Sequence, residues 1–207
     1  ADMAVYDRLA PDFIDAGQAQ LAGAALVVAD LNLPHDTVAA LAVQARRHAT
    51  PLVLVAVSEP KMARLPADLS GVRLLILNAG ELAARVGRPL ADDAAIAHAM
   101  REVRAQGARD LVVTRGARGV LVTAGERIAD LPALPSDVVD VTGAGDAFAA
   151  AVCWSLVQDD GSFDLGRACR RGLHLSALTL GVPETVHPGL GPDSLAAVST
   201  EHPLPQD

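Results

Sequence analysis

Four short apolar runs, separated by segments with helical periodicity, restrict the fold of this chain more than any other feature. The runs lie at 25–29, 52–57, 72–77 and 111–114. Continuous apolar runs of this length are typical of strands that a parallel sheet buries on both faces. The segments between them, at 36–48 and 92–106, repeat apolar residues at helical spacing. Because alternating strands and helices form parallel crossovers, the sequence predicts an α/β fold with a doubly wound, mostly parallel sheet flanked by helices.

The pattern changes after Thr114. Glycine-bearing turns at 115–119 and 124–126 flank another apolar segment, which predicts a β-hairpin at one side of the sheet. Two long helices are predicted next, at about 143–157 and 164–180, with a turn at 159–161 between them. Five prolines follow residue 182, which predicts an irregular tail from about residue 183. We expect residues 1–207 to form a single domain.

Charge and cysteine content narrow the classes of partner. The chain has 17 basic and 25 acidic residues and a net charge of -8, which argues against nucleic-acid binding and against a basic membrane-surface helix. No apolar stretch approaches the roughly 20 residues that a membrane span needs. The two cysteines are too few for a disulfide framework. We therefore expect a cytoplasmic protein without nucleic-acid or membrane partners.

The segment DVTGAGDAF at 140–148 carries the clearest chemical signal, because it joins an extended apolar stretch to a long apolar helix. Glycines at such a junction let backbone amides approach a ligand. The free amides of a first helical turn, together with the helix dipole, bind anions. Asp146 falls in the same turn, where a carboxylate is unfavourable beside an anion unless it acts as a base on a hydroxyl. Phosphoryl transfer to an alcohol requires this combination of groups.

Other interpretations of this segment remain open from the residues alone. It could be an ordinary strand-to-helix turn, with Asp146 favourable at a helix N-terminus. It is not a Walker A loop, because the Gly-Lys-Ser/Thr ending is absent. It also differs from a dinucleotide-binding fingerprint, because Phe148 occupies the position of the third glycine. An oxidoreductase of the Rossmann type is therefore the weakest alternative.

The string DVTGAGDAF resembles the C-terminal signature of the PfkB family of ribokinase-like carbohydrate kinases. Two further family motifs precede it in the expected order. LNAGE at 77–81 resembles the Asn-x-x-Glu motif, and VTRGARG at 113–119 resembles the Val-Thr-x-Gly-x-x-Gly nucleotide loop. The resemblance implies a ribokinase-like fold and a kinase that uses ATP and Mg²⁺. Its substrate would be a sugar or nucleoside with a hydroxymethyl group that accepts the γ-phosphate.

The resemblance also implies a role for each motif residue. Asp146 would be the general base. The anion hole would consist of the backbone amides of Gly143, Ala144 and Gly145.

Binding roles follow from the same resemblance. Asn78 and Glu81 would help to hold the phosphates and Mg²⁺, with Glu81 acting through water. The ATP-binding loop would use Thr114, Gly116 and Gly119. Backbone oxygens near Asp140 and Thr142 would hold a monovalent cation such as K⁺.

Within the family, the pseudouridine kinases resemble this chain best. They carry similar Asp-x-Asn-Leu and Val-Ser-x-x-Lys motifs, which stand here at 30–33 and 57–61. Lys61, the single lysine beside 16 arginines, falls in the second motif and is a substrate-side candidate. Pseudouridine is the expected substrate and a homodimer is a possible assembly. The alternatives are another PfkB sugar kinase and a non-catalytic nucleotide-binding module.

The resemblance begins in the middle of the family's layout. Relatives start with a segment that holds the first strands, most substrate contacts and a small β lid. We therefore expect this chain to correspond to the C-terminal two-thirds of such a kinase, with the lid and first strands absent.

Overall fold

The computed structural model describes residues 4–158 and 163–196. The chain consists of two compact units with their boundary between Val113 and Thr114, and each unit is described by itself.

The first unit alternates strands and helices. Its strands, in their order within the sheet, are β1 (Val27–Asp30), β2 (Leu52–Val55), β3 (Leu74–Asn78) and β4 (Asp110–Thr114). Its α-helices are α1 (Pro11–Ala16), α2 (Gln18–Gly23), α3 (His35–His48), α4 (Ala79–Val86) and α5 (Asp93–Arg104). A 3₁₀ helix at Glu59–Arg64 lies between β2 and β3 in the chain. All four predicted strands and both predicted helices are present.

The strands of this unit pair in parallel, and the central strand is buried on both faces. β1 and β2 are parallel, with Val27 opposite Leu52, and β2 and β3 are parallel, with Val53 opposite Leu74. Leu52 and Val53 are fully buried, as expected of a central strand with no polar face. Burying apolar surface is worth about 25 cal/mol per Å², so these aliphatic strands stabilise the unit.

The second unit consists of a hairpin and a helical pair. β5 (Val120–Ala124) and β6 (Arg127–Leu131) are antiparallel, which confirms the predicted hairpin. The helices are α6 (Ala144–Gln158), α7 (Leu165–Leu180) and the short α8 (Pro192–Ala196). The described part of the predicted irregular tail is turn and bend except for α8, and residues 197–207 and the predicted turn at 159–161 lie outside the described residues.

Helices α6 and α7 pack closely at Gly172, where the absence of a side chain leaves room for an aromatic ring. Gly172 of α7 is buried against Phe148 of α6, and a Cβ there would lie 2.7 Å from the Phe148 ring. At the other end of this contact the Arg171 guanidinium lies 5.4 Å from the Trp154 ring centroid and donates to Ser155 Oγ at 2.6 Å. This packing positions the first turn of α6 relative to α7.

The predicted α/β fold class is confirmed, with strands parallel in the first unit and antiparallel in the second. The single-domain organisation stays a prediction. Within the described residues, no helix is long and apolar enough to cross a bilayer.

We expect Gly172→Ala to lower the free energy of unfolding by about 1–3 kcal/mol, because the added methyl group overlaps the Phe148 ring. Urea unfolding measures the change. Gly23→Ala is the matched control, because a Cβ at Gly23 meets nothing within 4 Å. Equal stability of the two variants would contradict this account of the α6–α7 contact.

Candidate active site

The loop before α6 is held by its own side chains and by α7. The Asp140 carboxylate accepts the Thr142 N–H at 2.8 Å. That hydrogen bond, followed by one from the Thr142 side chain, holds the pKa of Asp140 below its ordinary value. Val139 N–H donates to the Leu180 carbonyl at the end of α7, at 2.8 Å. The loop therefore reaches the helix in a defined conformation.

Gly143 forms the turn that starts the helix. Its φ of +84° lies in the left-handed region, and a Cβ would collide with the Thr185 carbonyl oxygen. Its own carbonyl accepts the Ala147 N–H at 2.8 Å, which is the first hydrogen bond of α6. The protein's own backbone therefore requires glycine at this position.

The amides around this turn remain largely without acceptors. Among the described residues, no acceptor lies within hydrogen-bonding distance of the N–H groups of Gly143, Gly145 and Asp146. Ala144 N–H makes only a long 3.4 Å bond to the Val141 carbonyl. These are the donors that a helix N-terminus offers to an anion. They include the three amides predicted for the anion hole, whose role stays a prediction.

Gly145 differs from Gly143 in a way that points to a ligand. Its φ lies outside the left-handed region, and a Cβ there would meet nothing within 4 Å. Neither backbone strain nor packing therefore requires glycine at 145. Gly145 lines a cavity, so a side chain there would occupy space that is open to a bound molecule.

Asp146 is the third residue of α6 and its side chain is exposed. Within the described residues its carboxylate contacts no hydrogen-bond donor or cation. A carboxylate without a partner, one residue from open amides, is available to a substrate hydroxyl.

A cavity of about 610 Å³ lies within the second unit. Its lining joins the predicted nucleotide loop to the start of α6, because it includes Thr114, Gly116, Gly119, Ala144 and Gly145. The lining contains no charged side chain and is mostly aliphatic. A pocket of this size and character suits a flat, neutral heterocycle better than a charged group.

The nucleotide loop depends on two glycines and on an arginine that the sequence analysis did not identify. Gly116 and Gly119 have φ of +60° and +81°, and a Cβ on Gly119 would collide with the Leu131 carbonyl. The side chain of Arg115 is buried, forms an ion pair with Asp130 and donates to the Arg118 carbonyl at 2.8 Å. In the sequence, only its position between Thr114 and Gly116 indicated that Arg115 belongs to this loop.

In the first unit, Asn78 and Glu81 form the N-terminal cap of α4. Glu81 N–H donates to Asn78 Oδ1 at 2.9 Å, and Asn78 N–H donates to Glu81 Oε2 at 2.7 Å. This reciprocal capping box gives the Asn-x-x-Glu spacing a structural role besides the predicted binding role. Burial raises the pKa of Glu81, the hydrogen bond from Asn78 opposes this, and the charge of Glu59 raises it further.

Glu59 is a second acidic residue that the sequence analysis did not identify. Its carboxylate lies directly over Gly80, where a Cβ would overlap it and would also lie 3.3 Å from Asn78 Oδ1. The Glu59 carboxylate therefore already occupies the space over Gly80. Mg²⁺ prefers oxygen ligands and keeps several waters, so the carboxylates of Glu59 and Glu81 are the groups that this part of the unit offers to a hydrated ion. Across the described ranges, no three His, Cys, Asp or Glu residues converge closely enough to bind a metal ion directly.

The predicted site residues therefore form two sets. Within the second unit, the nucleotide loop and the start of α6 share one cavity. Within the first unit, Asn78 and Glu81 lie next to Glu59, and Lys61 follows Glu59 in the same 3₁₀ helix. The cation-binding role of Asp140 and Thr142 stays a prediction.

Comparison with known proteins defines the class. Residues 7–190 match the pfkB family carbohydrate kinases, and this chain belongs to that family. It is similar to a 1-phosphofructokinase of Haloferax volcanii, with 33% identity over 113 residues (55% of this chain, 36% of the relative). It is also similar to a ribokinase of Lactococcus lactis, with 35% identity over 83 residues (40% of this chain, 28% of the relative).

Solved structures extend the similarity over most of the chain. A carbohydrate kinase from Agrobacterium tumefaciens has a TM-score of 0.78 and 31% identity, covering 96% of this chain and 62% of that one. The Arabidopsis thaliana ribokinase has a TM-score of 0.74 and 20% identity, covering 89% of this chain and 58% of that one. The chain thus spans about three-fifths of these structures and about a third of the curated relatives.

The two glycines of the turn are predicted to respond differently to substitution. Gly145→Val leaves the free energy of unfolding within about 1 kcal/mol, since its side chain enters open space, but abolishes Mg-ATP binding. Gly143→Ala destabilises the protein by at least about 1 kcal/mol, because of its positive φ and the Thr185 carbonyl. Urea unfolding and calorimetric titration with Mg-ATP measure both effects. Undiminished Mg-ATP binding by Gly145→Val would exclude the anion-hole assignment.

Proposed function

We propose that this protein is an ATP-dependent kinase that transfers the γ-phosphate of ATP to a hydroxymethyl group of a sugar or nucleoside. The observation that carries the proposal is the start of α6, where open amides, a partnerless Asp146 carboxylate and a mostly aliphatic cavity occur within one unit. Relatives support it: the ribokinase structure is described as a complex with ribose and ATP, and another similar structure is the adenosine kinase of Sinorhizobium meliloti.

In this mechanism the aliphatic cavity takes the adenine, and Gly116 and Gly119 let the loop backbone approach it. The amides of Gly143, Ala144 and Gly145, with that of Asp146 beside them, donate to the oxygens of the transferring phosphoryl group, where negative charge must be stabilised. Preorganised donors of this kind contribute about 3–4 kcal/mol each to a transition state in measured cases. They require no reorganisation here, because the Gly143 turn already holds them in place.

Asp146 orients the acceptor hydroxyl and takes its proton. The oxygen–phosphorus bond to the acceptor forms as the bond between the β–γ bridging oxygen and the γ-phosphorus breaks, and ADP leaves with that oxygen. Bound Mg²⁺ supplies charge neutralisation on the phosphates. Asn78 and Glu81 would hold the ion through water, with Glu59 beside them.

Pseudouridine is the substrate that we propose first. The support is the pair of motifs at 30–33 and 57–61, which the structure links through a hydrogen bond from Lys61 to Asn32. Another sugar is the alternative, since the relatives include ribokinase and 1-phosphofructokinase. A panel of pseudouridine, adenosine, ribose and fructose phosphates, assayed for phosphorylation in the complete natural protein, separates these substrates. Mg-ATP binding without turnover on any of them would favour the non-catalytic module.

Three further assignments belong to this proposal. K⁺ would bind near Asp140 and Thr142, the assembly would be a homodimer, and the enzyme would act in the cytoplasm. The first two rest on the family resemblance and the third on composition.

Asp146→Asn is predicted to lower turnover at least about a hundredfold while leaving Mg-ATP affinity within about threefold, because it removes the base but keeps the amides. Steady-state kinetics and calorimetric titration in the complete protein measure the two effects. Asp137→Asn, an exposed carboxylate in the preceding loop, is the control and should leave both unchanged. Full turnover by Asp146→Asn would remove this residue from the mechanism, and a large loss of ATP affinity would indicate a structural role.

A further inference from the structure

Lys61 is bound by a neutral side chain in the part of the chain that the structure describes. Its side chain is half-buried, and within residues 4–158 and 163–196 it forms no ion pair. Its ammonium group donates to Asn32 Oδ1. An ammonium group has three donors, so at least one remains for a ligand.

Asn32 holds Lys61 in a fixed position because Asp30 fixes Asn32. The Asp30 carboxylate accepts the Asn32 backbone N–H at 2.8 Å and the Asn32 side-chain NH₂ at 2.7 Å. The second bond orients the amide, so that Asn32 Oδ1 faces Lys61. Both Asp30 oxygens accept hydrogen bonds from Asn32, so the aspartate positions the lysine through the Asn32 amide and not through a direct ion pair.

The neighbouring cation, Arg64, provides a direct contrast. It also binds Asn32, through the backbone carbonyl, but its guanidinium forms an ion pair with Asp7 at 3.3 Å. Both cations therefore contact the same residue, and among the described residues Arg64 has an ion-pair partner whereas Lys61 has none.

The position of Lys61 in the fold suits a ligand. Asp30 ends β1 and Asn78 ends β3, while the 3₁₀ helix with Lys61 follows β2, so these polar groups lie at the carboxyl ends of parallel strands. Ligands of open α/β sheets bind at this edge. Glu59, two residues before Lys61, contacts the cap of α4 that carries Asn78 and Glu81.

We propose that Lys61 is a phosphate ligand and that Asp30 and Asn32 are its positioning residues. This inference rests on the proposed kinase function. The phosphoryl group comes either from the γ-position of ATP or from a phosphorylated acceptor. A compact ammonium group binds a phosphate oxygen as a point charge. A neutral hydroxyl would leave the charge of Lys61 uncompensated at a half-buried position.

The test compares Lys61→Met with Arg64→Met in the complete protein. Both variants remove one positive charge and one contact to Asn32. The probes are Mg-ATP, Mg-ADP, adenosine, inorganic phosphate, ribose 5-phosphate and ribose, each titrated by calorimetry. We expect Lys61→Met to lower the affinity for at least one phosphate-bearing probe tenfold or more. The affinities of Arg64→Met should stay within threefold of wild type, and the affinity for adenosine should be unchanged in both variants.

The probes distinguish the two sources of phosphate. Loss of Mg-ATP affinity with Mg-ADP affinity retained assigns Lys61 to the γ-phosphate. Loss of ribose 5-phosphate affinity alone assigns it to a phosphorylated acceptor. Asn32→Ala should reproduce the same loss without changing the affinity for adenosine. If Asn32 had only a structural role, the substitution would lower the affinity for the phosphate-bearing probe and for adenosine alike.

Wild-type affinity of Lys61→Met for every phosphate-bearing probe would overturn the inference, as would equal losses in the two Met variants. Failure of the wild type to bind Mg-ATP would contradict the proposed function instead. The inorganic phosphate titration still decides the inference in that case, because it needs no nucleotide.

Discussion

The open amides at the start of α6 are the feature on which the proposed chemistry depends. Gly143 turns the chain so that its carbonyl begins the helix, while its own N–H and those of Gly145 and Asp146 have no acceptor among the residues that the structure describes. The Thr185 carbonyl packed against Gly143 and the tether from Val139 to Leu180 hold this turn. Buried amides without acceptors are costly, so donors of this kind are retained where water or a ligand can reach them.

The first unit carries its own set of polar groups at the ends of its parallel strands. The carboxyl end of β1 carries Asp30 and that of β3 carries Asn78, as expected where ligands meet an open α/β sheet. The capping box explains why Glu81 stays buried and oriented, with its pKa raised by burial. The same carboxylate that stabilises α4 is therefore held in a fixed position, which its predicted water-mediated role in Mg²⁺ binding would require.

The strand and helix pattern was predictable because burial on two faces leaves a direct mark in sequence, as the fully buried Leu52 and Val53 show. The different roles of Gly143 and Gly145 were not predictable, because one depends on the Thr185 carbonyl, 42 residues away in the chain, and the other on empty space. Glu59 and Arg115 were missed for a similar reason. Their roles follow from tertiary contacts with Gly80 and Asp130, which no local spacing encodes.

Amide chemical shifts test the central claim most directly. In ¹⁵N-labelled protein titrated with Mg-ATP, the N–H signals of Gly143, Gly145 and Asp146 should move downfield, because each gains a charged phosphate acceptor. Adenosine should shift signals of the aliphatic cavity, such as that of Gly119, without moving those of Gly143 and Asp146 downfield. Unchanged signals of Gly143, Gly145 and Asp146 at saturating Mg-ATP would contradict the account.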